Sequence, residues 1–170
     1  MRKKRLDLDR FAPVGYDWRQ ELKYFAGGLI GAFLYSLPFL YHLSNARSLL
    51  YRTSALTGQR VLREGMVMPD FAELIGKSLL AFPLVALMMV IFGVLHYAYH
   101  RRGSRSDYTM CRLPDRREMH RRCLIIPVCT VLICLIAGFA MLLVYYEIYM
   151  LATPPECLTP GQWEKLWTWR

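Results

Sequence analysis

The sequence predicts an all-α membrane protein with three transmembrane helices, a short amphipathic N-terminal helix and an interfacial C-terminal helix. The deciding stretch is 124–146, which reads LIIPVCTVLICLIAGFAMLLVYY and carries no charge. An α-helix needs about 20 apolar residues to cross a hydrocarbon core. Of the 170 residues, 55% are hydrophobic, yet the net charge is +9. Basic residues flank the apolar runs instead of covering one folded face, so we expect a lipid bilayer as partner and no nucleic acid.

The chain is predicted to begin with a basic, then amphipathic cytoplasmic segment over 1–24. Asp17 suits the N-cap of a helix with Glu21 in its first turn, where the helix dipole favours an acid. The first span follows over 25–43. A basic start before an apolar run also raises the possibility of a signal peptide. This run is too long and starts too far from Met1 for one, so we expect an uncleaved anchor.

The second span is predicted over 70–98, after an outer loop over 44–69 in which we expect no strand pairing. Asp70 and Glu73 have the spacing of a capping box, which starts a helix. The apolar run that follows contains a single charged residue, Lys77.

The third span is predicted over 122–151, between an Arg-rich cytoplasmic loop (99–121) and an outer Trp-rich tail (152–170). Pro114, Asp115 and Glu118 repeat the helix-start pattern of the second span, so we expect this helix to begin near Asp115. In the tail, Trp163, Leu166 and Trp167 fall on one helical face, which favours a helix lying flat at an interface.

The topology follows from the distribution of lysine and arginine. The N-terminal segment carries seven and the second loop eight, so with three spans one side holds fifteen of the 22 basic residues. Cytoplasmic segments carry the excess of such residues. We therefore expect a multi-pass protein of a bacterial cell membrane, with a cytoplasmic N-terminus and an extracellular C-terminus.

Three polar residues near the outer ends of the spans are candidates for an intramembrane site: Lys77, Glu147 and His42. A charge at this depth is costly unless it is paired or reaches the headgroups. We favour separate snorkelling of Lys77 and Glu147. The alternative is an ion pair, or a polar contact lining a path through the membrane, which His42 would join.

Two further patterns concern metal binding and helix packing. His96 and His100 are one helical turn apart, as a metal site requires, but no third ligand is fixed. Interfacial histidines are the preferred interpretation, so we predict no metal or other cofactor. Small residues let helices approach closely in lipid, and we predict a packing face at Gly27, Gly28 and Gly31.

Catalysis is not expected from this sequence. It contains no Ser/His/Asp arrangement, no phosphate-binding loop and no carboxylate pair. The five cysteines are interpreted as buried small hydrophobic residues, because no CxxC pair occurs and two of them, Cys129 and Cys134, lie inside the uncharged stretch 124–146.

The second loop resembles a cytoplasmic motif of type-2 ATP-binding-cassette exporter permeases. In that family a Leu-Pro dipeptide, basic residues and a glutamate precede a membrane helix. The matching positions here, with Asp115 standing where the family more often has a small residue, are Leu113, Pro114, Asp115, Arg116, Arg117 and Glu118. The resemblance implies that this loop docks a separate dimeric ATPase. It covers about one tenth of the chain, which has three predicted spans where such a permease has six.

We therefore expect a membrane subunit of an ATP-driven exporter, working with an ATPase and other membrane subunits or as a homo-oligomer. The first alternative is a small structural or regulatory membrane protein without a transport role, whose Arg-rich loop holds anionic lipid. A third hypothesis is a metal-responsive membrane protein that uses His96 and His100.

Overall fold

The computed structural model describes residues 18–53, 59–63, 65–101 and 116–168, and this part of the chain is mostly helical. The chain divides into two compact units. The first unit comprises the described residues within Met1–Gly31 and Phe82–Ala137, and the second unit comprises those within Ala32–Ala81 and Gly138–Arg170.

The first helical stretch consists of α1 (Trp18–Ser36) and α2 (Pro38–Leu50). Pro38 occupies the first turn of α2, where its missing N–H is not needed. Leu37 between the two helices keeps a helical backbone, with φ −59° and ψ −32°. No separate amphipathic helix precedes the span over 18–24, because α1 runs on without a break. Residues 44–50, predicted as loop, belong to α2.

A β-hairpin follows α2, so the prediction of no strand pairing over 44–69 is wrong. Strands β1 (Tyr51–Thr53) and β2 (Arg60–Leu62) are antiparallel, and Tyr51 pairs with Leu62. Three residues per strand show too little of the two-residue alternation by which a strand is found in a sequence. The described part of the chain is therefore mostly helical and contains one small hairpin.

The predicted continuous helix over 70–98 is also wrong, because it is broken near its start. Helix α3 (Phe71–Ile75) ends at Gly76, whose φ of +41° and ψ of −115° lie outside the helical region. Helix α4 begins only at Ala81 and runs to Arg101. Residues other than glycine rarely adopt a positive φ. Glycine at position 76 therefore permits the turn that interrupts the helix.

The last long helix is α5 (Arg116–Ala152), and its predicted start near Asp115 lies outside the described residues. It continues through Pro127, and the Thr130 hydroxyl donates to the carbonyl oxygens of Ile126 and Pro127 at 3.0 and 2.9 Å. A short 3₁₀ turn (Pro155–Cys157) and one turn of helix, α6 (Gln162–Lys165), follow. The predicted interfacial C-terminal helix is thus reduced to a single turn.

In the first unit, α1, α4 and α5 share a small buried cluster formed by Phe25, Ala86, Met89 and Cys134. Most other large apolar side chains of these helices are exposed. Two helical stretches, Arg19–Leu50 and Leu124–Ala152, are long and apolar enough to cross a membrane. Only 22% and 17% of the apolar 18-residue segments within them are buried. The apolar part of α4, Ala81–Leu95, is shorter.

The second unit has a core of its own, to which α2, α3 and α5 contribute. Phe39 stacks on Tyr145 with ring centroids 4.6 Å apart, and Phe71 lies 5.4 Å from Tyr149. Cys157 after α5 is buried in the same cluster. The interpretation of the cysteines as buried residues is confirmed for Cys134 and Cys157 and is wrong for Cys129, which is exposed; the side chains of Cys111 and Cys123 lie outside the described residues.

Candidate functional site

The main candidate site is a cleft of about 500 Å³ in the second unit. Its size is typical of pockets that hold small molecules. One wall is the end of α1 with α2, and the other is α3 with the turn that follows it. The lining residues are Tyr35, Pro38, His42, Asn45, Ala46, Leu49, Glu73, Leu74, Ile75, Gly76, Lys77 and Ser78.

The first wall follows from the periodicity of α2. Its buried residues recur at helical spacing and face the core: Phe39, Leu43, Ala46 and Leu50. The adjacent stripe, also at helical spacing, is His42, Asn45 and Leu49. Because the core fixes the first stripe, it also fixes the rotation of α2 and presents the second stripe to the cleft.

The second wall is held by the same core. Phe71 and Ile75 of α3 are buried, so Glu73 on the opposite side of this short helix is directed outward and is exposed. After Gly76, the Ser78 N–H donates to the Ile75 carbonyl at 2.8 Å, which closes a turn. This turn carries Lys77 and Ser78 to the cleft.

Charged groups in the cleft have no partner among the described residues. The side chains of His42, Glu73 and Lys77 are exposed, and none of them makes a hydrogen bond or an ion pair within the described ranges. Glu147 of α5 is exposed, does not line the cleft and forms no ion pair with Lys77. The structure therefore places His42 and Lys77 at one site, as the alternative interpretation required, but the carboxylate beside them belongs to Glu73.

Sequence reasoning missed Glu73 because its spacing from Asp70 was assigned to a capping box. That box is not formed. Asp70 occupies the N-cap of α3, but its side chain does not cap the helix. The Phe71 N–H instead donates to Oε1 of Gln162, at 2.8 Å. Neither carboxylate is therefore used by the backbone of α3.

Asp70 is instead the centre of a polar network with the C-terminal segment. Its Oδ1 accepts hydrogen bonds from Lys165 Nζ at 2.7 Å, Thr159 Oγ1 at 2.7 Å and Gln162 Nε2 at 3.0 Å. The hydrogen bond from Lys165, followed by that from Thr159, lowers the pKa of Asp70, and partial desolvation opposes this shift. The network ties α6 to the start of α3.

The C-terminal tail is also packed through its aromatic side chains. Trp163 makes an edge contact with Tyr146 of α5, with ring centroids 5.3 Å apart. Trp167 is 65% exposed. Of the three residues predicted to lie at an interface, Trp167 is thus the most exposed to the surroundings, whereas Trp163 packs against Tyr146.

The predicted packing face on α1 is only partly used within this chain. A Cβ atom added at Gly28 would lie 3.3 Å from both methyl carbons of Val85, so Gly28 allows α1 and α4 to approach closely. A Cβ atom at Gly27 or Gly31 would meet nothing within 4 Å. Among the described glycines, the tightest contact is at Gly93 of α4, where an added Cβ would lie 3.1 Å from Pro127 Cβ.

A second hollow, of about 520 Å³, borders the Gly93 contact in the first unit. It is lined by apolar residues of α4 and α5: Val90, Gly93, Val94, Leu124, Pro127, Val128, Val131 and Leu132. It offers no polar side chain that would select a ligand.

Several predicted site residues lie outside the described part of the chain. Leu113, Pro114 and Asp115 are among them, and only the backbone of Arg116, Arg117 and Glu118 is described, as the first turn of α5. His96 and His100 lie on α4, but their side chains are likewise outside the description. Among the described residues no group of three His, Cys, Asp or Glu side chains is placed to hold a metal ion.

The comparisons with known proteins give no relative for this chain: no protein-family model, curated protein or solved structure matches it.

Proposed function

We propose that this chain is a membrane subunit of an ATP-driven exporter and that its second loop docks a separate ATPase. The support for docking is the resemblance of residues 113–118 to the cytoplasmic motif of type-2 ATP-binding-cassette permeases. In this proposal the chain crosses a bacterial cell membrane three times, through α1 with α2, through α4 and through α5. The charge distribution then puts the N-terminus inside and the C-terminus outside.

The proposed second crossing is α4. Its 21 residues extend about 32 Å at 1.5 Å per residue, close to the thickness of a hydrocarbon core. The apolar part, Ala81–Leu95, is shorter than this. The crossing therefore requires the residues after Leu95 to lie at the inner headgroups, a position that suits histidine, tyrosine and arginine.

One observation carries the proposal for the ATPase. Helix α5 runs without interruption from Arg116 to Ala152. The motif residues Arg116, Arg117 and Glu118 are therefore the first described residues of the helix that contains the most apolar stretch of the chain. In this proposal, a movement imposed on them by an ATPase would be passed to the membrane through α5. Because a permease of this family has six spans, two copies or other membrane subunits would complete the transport path.

The test is a pull-down of the tagged chain from its native membrane in mild detergent, followed by mass spectrometry. We expect an ATP-binding-cassette ATPase and a larger permease to co-purify in near-stoichiometric amounts. The variant Arg116→Glu/Arg117→Glu should lose the ATPase without changing membrane insertion. Arg52→Glu/Arg60→Glu, which makes the same charge change on the hairpin, is the matched control and should keep it. Retention of the ATPase by the first variant would refute docking through this loop.

We propose as the alternative a structural or regulatory membrane protein without a transport role, with which a self-contained second unit is compatible. Its core is built from α2, α3 and α5 of this same chain. In this case the Arg-rich loop only binds anionic lipid and sets topology. Replacing residues 101–122 by a scrambled sequence of the same composition separates the two proposals. The alternative predicts that insertion and partner proteins are unchanged, whereas the exporter proposal predicts loss of the ATPase alone.

A further inference from the structure

The cleft between α2 and α3 combines groups of opposite charge on walls that are already in place. The apolar side of α2 and the buried residues Phe71 and Ile75 anchor both walls to one core. A site whose backbone is anchored in this way spends less binding free energy on ordering its own side of the contact. The cleft can therefore be considered as a binding site whose shape is set before a ligand arrives.

The charges of the cleft indicate what kind of ligand it accepts. Glu73 supplies one carboxylate and Lys77 one ammonium group, and the described residues pair neither of them. In sequence they are four residues apart, a spacing that brings side chains together on a helix. Gly76 interrupts the helix between them, so each group stays available. A simple anion would be repelled by Glu73 and a simple cation by Lys77, whereas a ligand with both charges satisfies both residues.

The remaining lining residues narrow the class of ligand that we expect. Ser78, Asn45 and His42 are side chains that can donate hydrogen bonds, in addition to Lys77. Several donors around one cation suit a phosphate, which offers several acceptor oxygens. Pro38, Leu49 and Leu74 give the cleft an apolar part that would contact a short carbon chain.

We propose that this cleft binds a zwitterionic phosphate ester, in which a primary ammonium group is linked to a phosphate through a short carbon chain. Glu73 accepts hydrogen bonds from the ammonium group. Lys77 and Ser78 donate to the phosphate. The headgroup of an ethanolamine phospholipid and free phosphoethanolamine share this chemistry. The proposal goes beyond the exporter function and does not depend on it, because none of the cleft residues belongs to the loop that would dock an ATPase.

The first experiment compares ligands on the purified full-length chain in detergent and needs no variant. Isothermal titration calorimetry with phosphoethanolamine, inorganic phosphate and ethylammonium should give the tightest binding for phosphoethanolamine, by about tenfold or more over either fragment. In parallel, native mass spectrometry of the chain released from nanodiscs should show retention of phosphatidylethanolamine over phosphatidylglycerol. Binding of the lipid alone would assign the site to a membrane lipid, and binding of the free compound would assign it to a soluble ligand.

The second experiment uses variants with matched controls. Glu73→Gln and Lys77→Gln should each weaken binding of the zwitterion about tenfold, the change expected when one charge-assisted hydrogen bond is lost. Glu147→Gln and Arg47→Gln remove the same charges from exposed positions of α5 and α2 that do not line the cleft, and should leave affinity within about twofold. Equal binding of inorganic phosphate that is unaffected by Glu73→Gln would mean a simple anion site and would overturn the proposal. Absence of binding by the headgroup and by the lipid would overturn it as well.

Discussion

Lys165 Nζ lies 2.7 Å from Asp70 Oδ1, and this ion pair joins the last helical turn of the chain to the start of α3. The two side chains are 36% and 38% exposed. A pair this accessible to water contributes no more than about 1 kcal/mol. Gln162 stabilises the same segment more strongly, because its side chain is only 3% exposed and accepts a hydrogen bond from the N–H of Phe71.

We predict that Gln162→Ala destabilises the protein more than Lys165→Met does. The first change leaves a buried backbone N–H without its acceptor, which costs about 1–3 kcal/mol. The second removes an exposed charge and should cost less than about 1 kcal/mol. The free energy of unfolding in detergent, followed by tryptophan fluorescence, measures both. An equal or larger loss for Lys165→Met would show that the ion pair, and not the buried amide, holds the C-terminal segment.

The docking of the C-terminal segment should depend on pH only in acid. The pKa of Asp70 is lowered in the folded protein, mainly by the hydrogen bond from Lys165, relative to its ordinary value of 3.8. A lowered pKa stabilises the fold fully above the ordinary value, and this stabilisation is lost as the pH falls through the folded pKa. Tryptophan fluorescence or limited proteolysis of the tail should therefore be constant from about pH 5 to 8 and change below pH 3.8.

Asp70→Asn is the control for this pH dependence. It removes the titrating group, so the acid transition assigned to Asp70 should disappear from the profile. A transition near neutral pH in the wild-type protein, or an acid transition that persists unchanged in the variant, would assign the effect to another group.

Ser36 and Tyr145 should be energetically coupled. Their hydroxyl oxygens are 2.7 Å apart in the buried part of the second unit, and the Ser36 hydroxyl also lies 2.7 Å from the Phe33 carbonyl oxygen, to which it donates. Tyr145→Phe leaves Ser36 with its backbone partner, so we expect a loss of about 1 kcal/mol. In a double-mutant cycle with Ser36→Ala, the double variant should lose less than the sum of the two single changes. Strict additivity would show that the hydroxyl pair contributes nothing.

Alanine substitutions at two glycines should differ in their effect on stability, because one glycine lies at a close helix contact and the other on an open helix face. At Gly27 an added Cβ meets nothing, so alanine should be neutral or should stabilise by up to about 1 kcal/mol through helix propensity. At Gly93 the added Cβ meets the rigid ring of Pro127 at 3.1 Å. Gly93→Ala should therefore be less stable than Gly27→Ala, and Gly93→Leu should lose a further 1–3 kcal/mol, approximately. Thermal melting in detergent tests the order, and equal melting temperatures for the two alanine variants would contradict it.

The outcome of one helix-start pattern shows how far local reasoning reaches. The pattern Pro-Asp-x-x-Glu precedes both predicted helices. The second copy of the pattern, at Asp115, lies outside the described residues, and α5 is described only from Arg116. At Asp70 the carboxylate binds Thr159, Gln162 and Lys165 instead of its own helix. These partners lie about 90 residues later in the chain, so no local sequence pattern could have predicted them.

The candidate cleft was predictable only in part for the same reason. His42 and Lys77 were singled out because polar residues near the ends of apolar runs need an explanation. The sequence could not show that Lys77 would leave the helix at Gly76, nor that Glu73 and not Glu147 would share its site. Both depend on a core in which Phe39, Phe71 and Tyr145, which are far apart in the sequence, pack together.

The composition of this core has a consequence for biosynthesis. Tyr149 donates its hydroxyl to the Pro69 carbonyl at 2.9 Å, and the Met68 N–H donates to the Cys157 carbonyl at 3.0 Å. Residues 39–75 therefore leave the ribosome before residues 145–157, which complete their core, have been synthesised. During translation Phe39 and Phe71 lack the ring contacts of Tyr145, Tyr146 and Tyr149 until α5 has been synthesised, so we expect a chain stopped before Tyr145 to expose both rings.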